Sequence, residues 1–194
     1  PVPRADYATV ELNGRRLGLY VLLEGWNKQF LKRYFKNTKG NLYDPPLLAD
    51  LDQILPVATG NFPNDQSELI AVVEAAREPD LARRLERLDR LMDLDRFARH
   101  IALDLLLWNY DGYVLHSNNY RVFHDIDSGR IVFMPHGLDQ MFRNPNGPLL
   151  ASGDGLVARA YLGTHEGRQR VLDRMREFCG SFLTFAALSN RVSE

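Results

Sequence analysis

Between Asn109 and Phe142 the chain passes from an apolar run into a polar loop, then a strand-turn-strand unit, then a second polar loop, and few folds accommodate that order. Leu103, Leu105, Leu106, Leu107 and Trp108 precede Asn109-Tyr110-Asp111, so a buried helix should end where the first polar loop begins. Asn118-Asn119 leads into a strand over Tyr120–Phe123. A polar turn over 124–129 follows, and a second strand, Arg130–Met134, runs into Pro135-His136-Gly137-Leu138-Asp139. Antiparallel pairing of the two strands would draw position 119 toward position 139. An Asp in a loop, an Asn soon after it and an Asp at a strand end are what phosphoryl transfer requires: one carboxylate orients the attacking hydroxyl and the other two groups hold a metal on the phosphates. Asp111, Asn119 and Asp139 fall in those roles.

Each of these residues also has a plainer reading. Asp111-Gly112 could be turn chemistry at a helix end. Asn118 and Asn119 could be turn or strand-cap residues, and Asp139 could cap a helix starting at Gln140. Their order along the chain favours a nucleotide and metal site, with Mg²⁺ or Mn²⁺ bridging Asn119, Asp139 and phosphate oxygens. The histidines, His100, His116, His124, His136 and His165, include no helically spaced pair flanking a Glu, which argues against a zinc hydrolase. Asp125 and Asp127 lack the downstream carboxylate of a calcium loop and read as a turn.

With 194 residues and 45% hydrophobic content the chain can bury the core of one domain. Lys and Arg total 24 against 25 acidic residues, so no net field draws it to nucleic acid or to an anionic membrane. No run approaches the roughly 20 apolar residues of a membrane span. Cys179, the one cysteine, lies in the apolar setting Phe178-Cys179-Gly180-Ser181-Phe182 and reads as a buried, inert thiol.

Along the chain, Tyr7–Leu12 and Leu17–Leu23 read as a β-hairpin closed by Asn13-Gly14, two residues that tolerate positive φ. Asn27 caps a helix carrying Phe30, Leu31, Tyr34 and Phe35. From Lys39 to Asp65, Gly and Pro residues including Pro63 predict an irregular, lid-like insertion with at most one helical turn near Leu47–Leu51. Helices are expected from a Ser67 cap to Arg77, after Pro79 through Leu81, Leu85, Leu88 and Met92, and from an Asp93 cap through Trp108. Beyond Phe142 the segments 144–148 and 152–155 read as flexible loops able to dock substrate. Helices follow over Val157–Leu162, Gln169–Phe178 and Phe182–Leu188, and no stop signal marks the end at Glu194.

Asn109-Tyr110-Asp111, Asn119-Tyr120-Arg121-Val122-Phe123 and Phe133-Met134-Pro135-His136-Gly137-Leu138-Asp139-Gln140-Met141-Phe142 resemble the motifs of the CotH kinase family, atypical protein kinase-like proteins named for a spore-coat member. Leu12-Asn13-Gly14 through Gly18-Leu19-Tyr20 to Glu24 resembles that family's Asn-Gly hairpin and Gly-x-Tyr strand ending at Glu. The resemblance implies an α+β protein kinase-like fold over 1–194 as a single partial domain. Residues 1–26 would be the remnant hairpin of an N-terminal lobe with its hinge. Residues 27–194 would be a mostly helical C-terminal lobe with a catalytic β-hairpin and the insertion at 39–65. It further implies transfer of the ATP γ-phosphoryl group to a protein hydroxyl. Asp111 would orient the acceptor, Asn119 and Asp139 would bind Mg²⁺ or Mn²⁺, and Glu24-Gly25 would receive the nucleotide, Glu24 otherwise pairing with a nearby Lys. A secreted, cell-envelope or spore-coat location rests on the resemblance alone. Two departures stand out. His136-Gly137 replaces the family's Trp-Asp, so one of two acidic positions in that motif remains. The part that would carry the phosphate-covering loop and phosphate-pairing Lys lies upstream of Pro1, so this piece by itself is expected to be weak or inactive. The alternatives are a catalytically impaired structural or binding domain and a kinase-fold enzyme that transfers a different group.

Overall fold

Asn13 and Gly14, at φ of 52° and 78°, form the two-residue turn that joins β1 (Ala5–Leu12) to β2 (Arg15–Leu23). Positive φ at both central residues matches the twist of the paired strands, as the Asn-Gly pair predicts. The register slips between Val10 and Glu11, leaving Leu17 as an extra residue beside Gly18. The structure is a computed structural model describing residues 1–62 and 64–193; Pro63 and Glu194 lie outside the described residues. The hairpin is a two-stranded sheet of its own, with Tyr7, Leu19, Val21, Leu22 and Leu23 exposed.

The remaining elements are α1 (Lys28–Lys32), β3 (Leu42–Tyr43), β4 (Val57–Thr59), α2 (Ser67–Ala76), α3 (Leu81–Leu91), α4 (Leu94–Leu106), α5 (Tyr113–His116), β5 (Tyr120–Asp125), β6 (Arg130–Pro135), α6 (Leu156–Leu162), α7 (His165–Ser181) and α8 (Phe185–Ser193). The chain is therefore α+β, with two small antiparallel sheets and eight helices among the described residues. The second sheet has the order β4-β3-β5-β6 and alternates as a strand must. Tyr43, Tyr120, Val122, Ile131 and Phe133 face the main core against α2, α4 and α6. Leu42, Phe123, Val132 and Met134 face the other way, onto Phe30, Leu31 and Phe35.

Several local expectations need correction. The segment 39–65 is no lid: it contributes β3 and β4 to the central sheet and buries Ala49, Asp50, Leu51 and Leu55. Strands of two and three residues are too short for alternation to reveal, and the segment has turns near Leu47–Leu51 but no helix. Asp50 ties this segment down. Its carboxylate accepts from Leu51 N (2.7 Å), Tyr113 Oη (3.2 Å), Ser117 Oγ (3.0 Å) and Leu156 N (2.7 Å), joining α5 and the start of α6. Ser67 is the first residue of α2 rather than its cap, and Asp65 accepts from Ser67 N at 3.0 Å. Cys179 is exposed, because the buried stripe of α7 runs through Val171, Met175 and Phe178 and the next residue turns outward. Nor is segment 152–155 simply slack. A Cβ at Gly153 would lie 2.1 Å from Val114 O, so the absent side chain allows close packing on α5.

Candidate functional site

Asp93 caps α4 by accepting from Arg96 N, and the helix ends in a tight turn with Trp108 in the left-handed region at φ 43°. Asn109 N donates back to Asp104 O at 2.8 Å, closing the last turn in the manner of a Schellman motif. That reversal brings Tyr110 to the surface and leaves Asp111 half-buried, with Asn109 buried beneath them. Asp104 accepts from Asn109 Nδ2 at 3.2 Å and from Val114 N at 3.4 Å, holding both ends of the loop. The loop contains the short helix α5, which periodicity could not indicate at four residues.

The Asp111 carboxylate gathers three neutral amides. Asn118 Nδ2 donates to Oδ1 at 2.9 Å, Asn119 Nδ2 to Oδ2 at 2.8 Å and, more weakly, Gln140 Nε2 to Oδ2 at 3.5 Å. Neutral donors orient a carboxylate without cancelling its charge, and no cationic side chain among the described residues forms an ion pair with Asp111. The second loop is stitched to the first through its backbone. Tyr110 N donates to Gln140 O at 3.2 Å, Phe142 N to Leu107 O, and His136 N to Asn119 O at 2.8 Å. The β5–β6 hairpin thus does what strand pairing predicts, setting the 136–142 segment beside Asn119. Gln140 was not singled out as a site residue from sequence, since nothing in the spacing of a lone Gln marks it.

Asp139 sits in the turn between these clamps. It is exposed and makes no hydrogen bond or ion pair among the described residues, and no helix begins at Gln140 for it to cap. The departure at position 137 has a geometric meaning. Gly137 has φ +54°, and a Cβ there would lie 2.9 Å from Asn119 Cγ and Oδ1 and 3.1 Å from Nδ2. A side chain at 137 would therefore project onto the Asn119 amide. Among the described residues no three His, Cys, Asp or Glu side chains converge as a metal cluster. The oxygens at hand, those of Asn119 and Asp139, suit a hard cation that takes most of its ligands from water and substrate phosphate.

Two residues after Asn119, Arg121 pairs with Asp44 and lies over the Trp26 ring, its Cζ 5.1 Å from the centroid. His136 lies 5.6 Å from the same ring. Burial, and then the Arg121 charge, hold the His136 imidazole below its ordinary pKa. Trp26 Nε1 and Arg121 Nε are buried with no hydrogen-bond partner. Nearby, Glu24 is spoken for: its carboxylate accepts from Arg4 N at 3.0 Å and pairs with Arg33, an Arg where a Lys is expected. Gly25 follows at the surface, where β2 gives way to the Asn27 cap of α1.

Residues 1–192 match the family described as CotH kinase protein, and the chain belongs to that family. No curated protein matches it. No helix among the described residues is long and apolar enough to cross a membrane.

Proposed function

We propose that this chain is an ATP- and metal-dependent phosphotransferase domain acting on protein hydroxyls, a single partial kinase-like unit. In this reading β1 and β2 belong to an N-terminal lobe, the stretch around Glu24-Gly25 is the hinge that meets the nucleotide, and the rest is the C-terminal lobe. The observation that carries it is the 2.8 Å contact between Asp111 and Asn119, in a loop clamped to the segment bearing Asp139. Asp111, oriented by amides, accepts a hydrogen bond from the attacking hydroxyl and aligns it. Asn119 and Asp139 would hold Mg²⁺ or Mn²⁺, and the ion would supply charge to neutralise the phosphoryl group. The test is transfer of labelled γ-phosphate from ATP to a generic protein acceptor or to the chain itself. Asp111→Asn should lower the rate at least about 100-fold while nucleotide affinity changes little. Equal rates for wild type and Asp111→Asn would overturn the assignment.

A second reading is favoured by Gly137, which leaves the Asn119 side uncharged, and by the engagement of both Asp111 oxygens with amides. In that reading the domain binds a partner and has lost catalysis. Calorimetry of the full-length protein with ATP and Mg²⁺ separates the two: measurable binding supports the phosphotransferase, and neither heat nor a thermal shift supports the binding module.

A further inference from the structure

The three amides around Asp111 are not equivalent. Asn118 and Asn119 belong to one braced segment: Ser117 Oγ, just before them, donates to Asp50 at 3.0 Å, and His136 N donates to Asn119 O at 2.8 Å. Their own bonds to the carboxylate, at 2.9 and 2.8 Å, are short. Gln140 reaches Asp111 Oδ2 from the opposite loop at 3.5 Å, and its side chain makes no other hydrogen bond among the described residues. Two bonds therefore fix the carboxylate, and the third is the one that can be exchanged.

An ionised carboxylate can only accept, so an attacking hydroxyl must donate into a lone pair that is free or weakly held. Asn118, 9% exposed, closes the Oδ1 side. On Oδ2, Asn119 holds one position and Gln140 the other, and Gln140 is a half-buried residue next to the exposed Asp139. We infer that Gln140 occupies the acceptor's seat on Asp111 in the resting site and keeps water out of it until a protein hydroxyl displaces the amide. The inference rests on the phosphotransferase reading and adds to it a gate against ATP hydrolysis. In that side reaction a water oxygen bonds to the γ-phosphorus, and the bond from phosphorus to the β–γ bridging oxygen breaks with its electron pair leaving on ADP. One water proton stays on the phosphate, and the other passes by way of Asp111 to solvent.

The experiment measures phosphate release from ATP and Mg²⁺ by the full-length protein without a protein acceptor, and transfer of labelled phosphate to casein alongside. Gln140→Ala should raise acceptor-free hydrolysis about fivefold, the worth of one weak hydrogen bond to a charged group. The rise should vanish when Asp111→Asn is also present. Hydrolysis that stays level or falls in Gln140→Ala, in a protein whose transfer to casein depends on Asp111, overturns the gate and leaves the phosphotransferase standing. Neither transfer nor hydrolysis by the wild type removes both. A readout independent of activity is the Gln140 side-chain amide in NMR spectra, identified by its loss in Gln140→Ala. It should shift in Asp111→Asn, and an unmoved resonance would mean that the amide does not sit on the carboxylate, which overturns the inference.

Discussion

Replacing Gly137 by Asp tests whether position 137 faces a cation site. Without metal the change should destabilise. The residue must adopt φ +54°, which costs an ordinary side chain about 1 to 2 kcal/mol and Asp somewhat less. Its Cβ, 2.9 Å from Asn119 Oδ1, must also push that amide aside and weaken the bond to Asp111, worth about 1 kcal/mol at a partly exposed site. The sum, about 2 kcal/mol, should lower the melting temperature by about 4 to 8 °C for a chain of this size. Gly137→Ala carries nearly the same backbone and steric cost without a carboxylate, so it is the control. With Mg²⁺ at about 10 mM and a dissociation constant of about 1 mM, the Asp variant should regain about 1.4 kcal/mol, or about 3 to 6 °C. The Ala variant should regain nothing beyond the wild-type response. Thermal melts of the three proteins with and without MgCl₂ decide it. If Asp and Ala respond alike to the ion, the space above Gly137 is not beside a metal position and the cation roles given to Asn119 and Asp139 lose their footing.

Two further outcomes follow from the same contacts. Asp50→Ala strands four donors, those of Leu51, Tyr113 and Ser117 buried and that of Leu156 part-buried, and should cost about 3 kcal/mol in urea unfolding. A loss under about 1 kcal/mol would mean the carboxylate does not tie segment 39–65 to the core. His136 has a folded-state pKa below its ordinary 6.5, so as pH falls through 6.5 the unfolded chain takes the proton first. Its contribution therefore makes the protein less stable on acidification, from about pH 6.5 down to the folded value, and has no effect above that window. An imidazole titration by NMR with a midpoint at or above 6.5 would contradict the burial described for it.

Much of the secondary structure was legible because its signals are local. Asn13-Gly14 can hardly be anything but a turn, Asp93 caps the helix that follows, and the β5–β6 hairpin is written in alternation. The residues of the polar site were legible as an ordered set, Asp111, Asn119 and Asp139, but not as a geometry. That Asn119 would reach Asp111 directly, with Asn118 and Gln140 completing the cluster and Asp139 left at the surface, depends on three backbone bonds between loops distant in sequence. The two strands of segment 39–65 are not legible in the sequence because they are short and, like the buried Asp50, acquire meaning only from β5, α5 and α6.

The sequence by itself determined where the β1–β2 and β5–β6 hairpins turn, the helix start at Asp93 and which family the chain belongs to, since each of these is set by neighbouring residues or by their order. Tertiary structure alone decided which polar groups found partners. The amides of Asn118 and Asn119 did so at Asp111, Nε1 of Trp26 and Nε of Arg121 did not, and the imidazole of His100 was left facing an apolar cavity. Pairing depends on distances of a few ångströms between side chains brought together by packing, and no local pattern encodes that.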